Sequence, residues 1–304
     1  MSATETALAL TPAQIALVAA EAILLLTGTV LLLRKLTKVR ERLSGRLPVA
    51  LEWSAYNVTE VILTAAYTLG GGVLLQLAAT QAGAKWFPPA SDGSMGLFHV
   101  VASGAFQIGM LAGLAHAWFW HLRPRQKETL ADYPIEPTSP RRPEPGLPPD
   151  TTRRAIARGA LAFVTLLPLV WATSFAWQAL LPLFGVEPEA QELVTLFANS
   201  GDLPALACMI VLAVIIAPLT EETLFRIGLF RWLRSRTPRA IALLVPALTF
   251  AAMHGSLSVF LPLAVLAIGL ALAYERGGHP LTPIITHSLF NLHTIVLLLA
   301  GFPS

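Results

Sequence analysis

Long apolar runs separated by short charged stretches set the pattern of this chain. They fall at Ala13–Leu33, Val58–Thr80, Leu97–His121, Gly159–Leu183, Cys208–Phe230, Ile241–His254, Ser258–Tyr274 and Pro283–Gly301. A helix needs about 20 predominantly apolar residues to cross the hydrocarbon core of a bilayer, and several of these runs reach that length with few charges inside. The predicted fold is all-α: a polytopic membrane helix bundle of about eight transmembrane helices. The sixth and seventh runs are short and separated only by Gly255, Ser256 and Leu257, so they form either a tight helical hairpin or one re-entrant element.

The basic residues orient the helices. Of 21 Lys and Arg, all but Lys85 and Arg226 lie in Arg34–Arg46, Arg123–Arg158, Arg231–Arg239 or at Arg276, which an eight-span chain places on one side of the membrane. By the positive-inside rule that side is the cytoplasm and both termini are outside. The acidic loop with Glu187, Glu189, Glu192 and Asp202 is outside as well. Between the third and fourth runs, PIEPTSPRRPEPGLPPD is dense in proline, which removes backbone donors and favours an extended cytoplasmic linker. The chain thus divides into three N-terminal helices at 1–121, a linker at 122–158 and five C-terminal helices at 159–304.

Composition agrees: 55% hydrophobic and 13% charged residues are far from the balance of a soluble domain. The lipid bilayer is the expected partner and nucleic acid is not. The single cysteine, Cys208, excludes an intramolecular disulfide and a cysteine metal cluster. The first twelve residues lack the basic start of a signal peptide, so the first run reads as a retained helix.

Candidate chemistry lies where polarity is expensive. A charge inside a span costs at least ~2.5 kcal/mol, so Glu221 and Glu222 in IIAPLTEETLFRIGLF need partners or a function. Glu222 and Arg226 stand four apart on one helix face and read as a buried ion pair, whereas Glu221 is turned ~100° away and has no local partner. LTFAAMHG puts Phe250 and His254 one turn apart, and ITHSLFNLHT does the same for His287 and Asn291. Two histidines, an asparagine and a spare carboxylate on three helices are better explained by one shared polar site than by separate burial. Other polar groups (Glu21, Glu60, His99, His116 and His121) read as interhelical or interfacial. His293 is a candidate neighbour of the site. Trp118, Trp120 and Trp171 read as interfacial anchors.

At these residues the sequence resembles the CPBP (CAAX-protease and bacteriocin-processing, or Abi) intramembrane protease family. Its EExxxR motif corresponds to Glu221, Glu222 and Arg226, its FxxxH to Phe250 and His254, and its HxxxN to His287 and Asn291, in order, within roughly Gly159–Gly301. The resemblance implies a bacterial inner-membrane endopeptidase acting on a membrane-embedded or membrane-associated peptide or protein. Glu221 would be the general base and His254 would hold the attacking water, while His287 and Asn291 would stabilise the developing oxyanion. Glu222, Arg226 and Phe250 would support them. Glu221, His254 and His287 are also a plausible divalent-metal set, zinc above all, although Asn is a poor zinc ligand and no HExxH pair is present. A non-catalytic scaffold or bacteriocin-immunity protein of the same fold is the alternative. A proton-coupled transporter fits less well, because the polar residues gather in the C-terminal helices.

Overall fold

The computed structural model describes residues 10–36, 56–83, 85–86, 97–122, 149–188 and 203–302. The Pro-rich linker between Leu122 and Pro149, the acidic residues Glu189, Glu192 and Asp202, and the side chains of His99 and His121 lie outside the described residues. Eight helical rods follow one another: α1 (Pro12–Leu36), α2 (Val58–Gly83), α3 (Leu97–Ala117, continued by a π turn Trp118–Leu122), α4 (Thr152–Phe184), α5 (Leu203–Arg234), α6 (Arg239–Met253), α7 (Leu257–Gly277) and α8 (Leu281–Leu299). No strand occurs among the described residues. Seven of the rods are long and apolar enough to cross a membrane. The exception is α6, whose 15 residues rise only ~22 Å.

The sixth and seventh runs form two helices packed on each other, the hairpin of the two alternatives, and the seventh is longer than its apolar run, with 21 residues. Separation from α6 is made at Gly255, whose φ of +66° ends the first helix in a left-handed turn that a side chain would strain.

Large apolar side chains point outward along most rods, among them Ile23, Leu26, Leu74 and Phe175, each more than 60% exposed. On a soluble protein so much contiguous apolar surface would drive aggregation; here it is the face that meets lipid. The chain is a multi-pass membrane protein.

Inside, helices approach closely where residues are small. A Cβ on Gly109 would sit 2.2 Å from the Gly71 carbonyl oxygen, and one on Gly113 would sit 1.9 Å from that of Tyr67. Only glycine lets α2 and α3 touch backbone to backbone, the GxxxG mode of packing in lipid. The pair then leans on α5, with Ala65 and Leu69 of α2 against a cluster of Leu224, Phe225, Ala247, Phe250 and Ala267. The first helix goes elsewhere: Leu24 and Leu25 pack on a core of Phe163, Leu167, Leu266, Leu270 and Phe290 from α4, α7 and α8.

Charged groups gather at one end of the bundle. Glu275 of α7 takes Arg234 of α5 and Arg239 of α6, each at 2.6 Å. Trp232 Nε1 donates to the Tyr56 carbonyl at the start of α2 at 2.9 Å, and Asp150 N donates to the Gly277 carbonyl at 2.8 Å.

Candidate active site

The site is built on α5, which is not one regular helix. Pro218 offers no N–H to the turn before it, and the ladder there widens into a π-helical stretch, Leu212–Ile216; a second one, Thr223–Phe230, follows the α-helical segment Ala217–Glu222. Glu221 and Glu222 therefore close a short α-helical segment between two wide ones. The carbonyl of Ala213, in the first wide stretch, takes a hydrogen bond from Asn291 Nδ2 of α8 at 2.8 Å.

Arg226 Nη1 donates to Glu222 Oε1 at 2.9 Å, with the side chains 2% and 0% exposed, so the ion pair read from their spacing forms. A third group shares it. His287 Nδ1 lies 2.8 Å from the same carboxylate oxygen. A bond to a carboxylate requires the proton on Nδ1, and Nε2 is the nitrogen on the far side of the ring. That Nε2 faces Glu221, whose Oε2 is 3.9 Å away. Glu221 makes no hydrogen bond among the described residues, and its side chain is 20% exposed. One imidazole thus stands between two carboxylates: Glu222 holds it, and Glu221 confronts its Nε2.

Phe250 is the hub of this cluster. The Arg226 guanidinium lies 4.6 Å from its ring centroid, and the rings of Phe225, His254 and His287 stand 5.4, 4.6 and 5.7 Å from it. A desolvated cation–π contact of this kind is worth ~2 kcal/mol and adds to the hold of Glu222 on Arg226. His254 caps the end of α6, donates from Nδ1 to the Phe250 carbonyl at 2.8 Å, and is exposed. No hydrogen bond joins it to Glu221 or His287; Phe250 links them.

Among the described residues no three His, Cys, Asp or Glu side chains are grouped to hold a metal ion. Of the possible metal set, Glu221 Oε2 and His287 Nε2 stand 3.9 Å apart, and His254 is joined to neither by a hydrogen bond. Glu222 Oε2 is buried and has no hydrogen-bond partner among the described residues.

Residues 203–293 match the family model described as Type II CAAX prenyl endopeptidase Rce1-like. Over this segment the chain is similar to that endopeptidase family. No curated protein and no solved structure matches the chain. The match covers under a third of the sequence, from the start of α5 into α8, and includes all seven residues of the three motifs. Helices α1 to α4 lie outside it.

Around the matched segment, other polar groups find structural work. His293 turns away from Glu221, and its Nε2 meets Glu21 Oε2 of α1 at 2.7 Å, an interhelical bond between two residues that were legible singly but not as a pair. Glu60 and Asn57 form a reciprocal capping box at the start of α2, and the His116 ring packs 4.7 Å from that of Tyr67. Sequence reasoning passed over Glu275; its signal was an isolated acid at the basic end of an otherwise uncharged run.

Proposed function

We propose that this chain is a bacterial inner-membrane endopeptidase that cleaves a membrane-embedded or membrane-associated peptide or protein with water activated at Glu221, its catalytic unit lying within 159–304. One observation carries the reading. Of two adjacent glutamates, Glu222 is consumed by Arg226 and His287, while Glu221 makes no hydrogen bond among the described residues, has a side chain 20% exposed and faces Nε2 of His287.

Glu221 takes a proton from water as its oxygen attacks the scissile carbonyl carbon, and later delivers that proton to the departing amine. His254, with Nδ1 committed to the Phe250 carbonyl, presents Nε2 to position the water. Charge developing on the carbonyl oxygen meets the remaining amide N–H of Asn291 and His287 Nε2–H, the ring holding the proton that Glu221 takes from water until it returns through Glu221 to the amine; Glu222 stabilises that imidazolium through Nδ1. No step is assigned to a metal.

Purified protein in detergent should cut members of a proteome-derived peptide library or a farnesylated peptide ending in a CAAX sequence, and a chelator should leave the rate unchanged. Glu221→Gln keeps volume and removes the base, so cleavage should fall ~10²–10⁴-fold with folding intact. A folded wild type that cuts none of these peptides, or a Glu221→Gln protein as active as wild type, would overturn the proposal.

A further inference from the structure

Helix α3 is outside the family-matched segment, yet it packs on the helix that carries Glu221 and Glu222. Gly109 and Gly113 commit one of its faces to α2. A second face carries Val100, Gly104 and Gln107 within an arc of about 60°. Val100 packs on the cluster of Met209 and Ile295 from α5 and α8, and a Cβ on Gly104 would meet Leu212 of α5 at 3.8 Å. Both α3 and α5 run antiparallel to α2, as the contacts of Gly109 with Gly71, Gly113 with Tyr67, and Trp232 with Tyr56 show. Descending α3 is therefore descending α5. Gly104 is level with Leu212, and Asn291 is level with Ala213. Gln107 comes about one turn (~5 Å) further down, between the depth of Asn291 and that of Glu221. Helix α3 stays packed against α5 through the segment Ala217–Glu222 that carries the two glutamates.

At that depth the Gln107 side chain has a buried Oε1 with no hydrogen-bond partner among the described residues. Leaving a buried acceptor unpaired forfeits its hydration for nothing in return, which makes such groups uncommon unless something else completes them. What enters this site, on the endopeptidase reading, is an extended peptide whose backbone N–H groups lie to either side of the bond to be cut.

We propose that Gln107 is a substrate-binding residue of this active site, its Oε1 accepting a hydrogen bond from a backbone N–H of the bound peptide. The inference rests on the function proposed above and adds to it a contact from a helix outside the family-matched segment.

The test uses full-length protein and whichever peptide of the library or farnesylated set the wild type cuts best. Gln107→Met keeps length and approximate volume but has no acceptor. The expected result is a KM raised ~3–10-fold with kcat within about 2-fold, and a melting temperature equal to or above that of wild type. Single N-methylation of each backbone nitrogen near the cleaved bond supplies the second readout. One N-methyl peptide should raise KM for the wild type and leave KM of Gln107→Met unmoved, because the two changes delete the same hydrogen bond. An unchanged KM in an active Gln107→Met protein, or an N-methyl scan identical in both proteins, overturns the role of Gln107 and leaves the endopeptidase standing. A wild type that cuts no peptide overturns both.

Discussion

At the scale of single residues, the adjacent glutamates show how chemistry divides between like side chains. Glu222 is neutralised by Arg226 and spends its oxygen on orienting His287. Removing either charge strands the other in a dry interior, a loss of ~3–5 kcal/mol, whereas removing both relieves the stranding. Glu222→Ala and Arg226→Ala should each lower the melting temperature and yield of the purified protein, and the double variant should be milder than their sum. Because His287 also depends on Glu222, the double variant should remain inactive even where it folds. Asn291→Ala probes the opposite side of the reaction: an oxyanion donor acts mainly on the transition state, so kcat should drop ~10²–10³-fold with KM little changed. It also frees the Ala213 carbonyl, so a stability measurement must accompany the kinetics. The motif residues stood out because polar groups inside apolar runs are costly and because Glu222 and Arg226, Phe250 and His254, and His287 and Asn291 each stand four apart on one helical face. That Glu222 bonds His287, 65 positions away, was not, since spacing informs only within a helix.

Among elements, α5 departs furthest from a regular rod. Its wide turns on either side of Ala217–Glu222 alter the angular register that a uniform 100° per residue assumes. Pro218 announced an irregularity but not its form. The glycine contact of α2 with α3 was legible and went unread: Gly109 and Gly113 stand four apart inside an apolar run, the spacing at which two helices can touch. Gly113→Leu should force the pair apart, with a loss of ~1–3 kcal/mol or more from overpacking against the Tyr67 carbonyl, measured as a fall in thermal stability in detergent. Since α3 also leans on α5, peptide cleavage should fall with it. The full length of α7 was underread for a simpler reason. Tyr274, Glu275 and Arg276 looked like the end of the apolar run, but Glu275 is drawn into the bundle by two arginines and the helix continues to Gly277.

For the whole molecule, the apolar runs and the distribution of basic residues outlined a bundle with one charged end, and the structure gathers Arg234, Arg239 and Glu275 there. What could not be read was the grouping of helices in space: α1 joins α4 and α8, while α2 and α3 join α5. Orientation in the membrane can be checked in intact cells after Cys208→Ala. Thr237→Cys, between α5 and α6, should react only with a membrane-permeant thiol reagent, and Val186→Cys, beyond α4, should react with an impermeant one; the reverse result would invert the topology. Helix α6 carries a last consequence. A rod of ~22 Å cannot match an apolar slab of ~30 Å, so lipid around it must thin or water must dip toward its end. The histidine at that end is exposed, and the residue it would serve needs water. On the proposed function, bilayer thickness then becomes a control on hydrolysis: reconstituted in short-chain phosphatidylcholine the protein should cut its peptide several-fold faster than in long-chain phosphatidylcholine, with Kd for the peptide little altered.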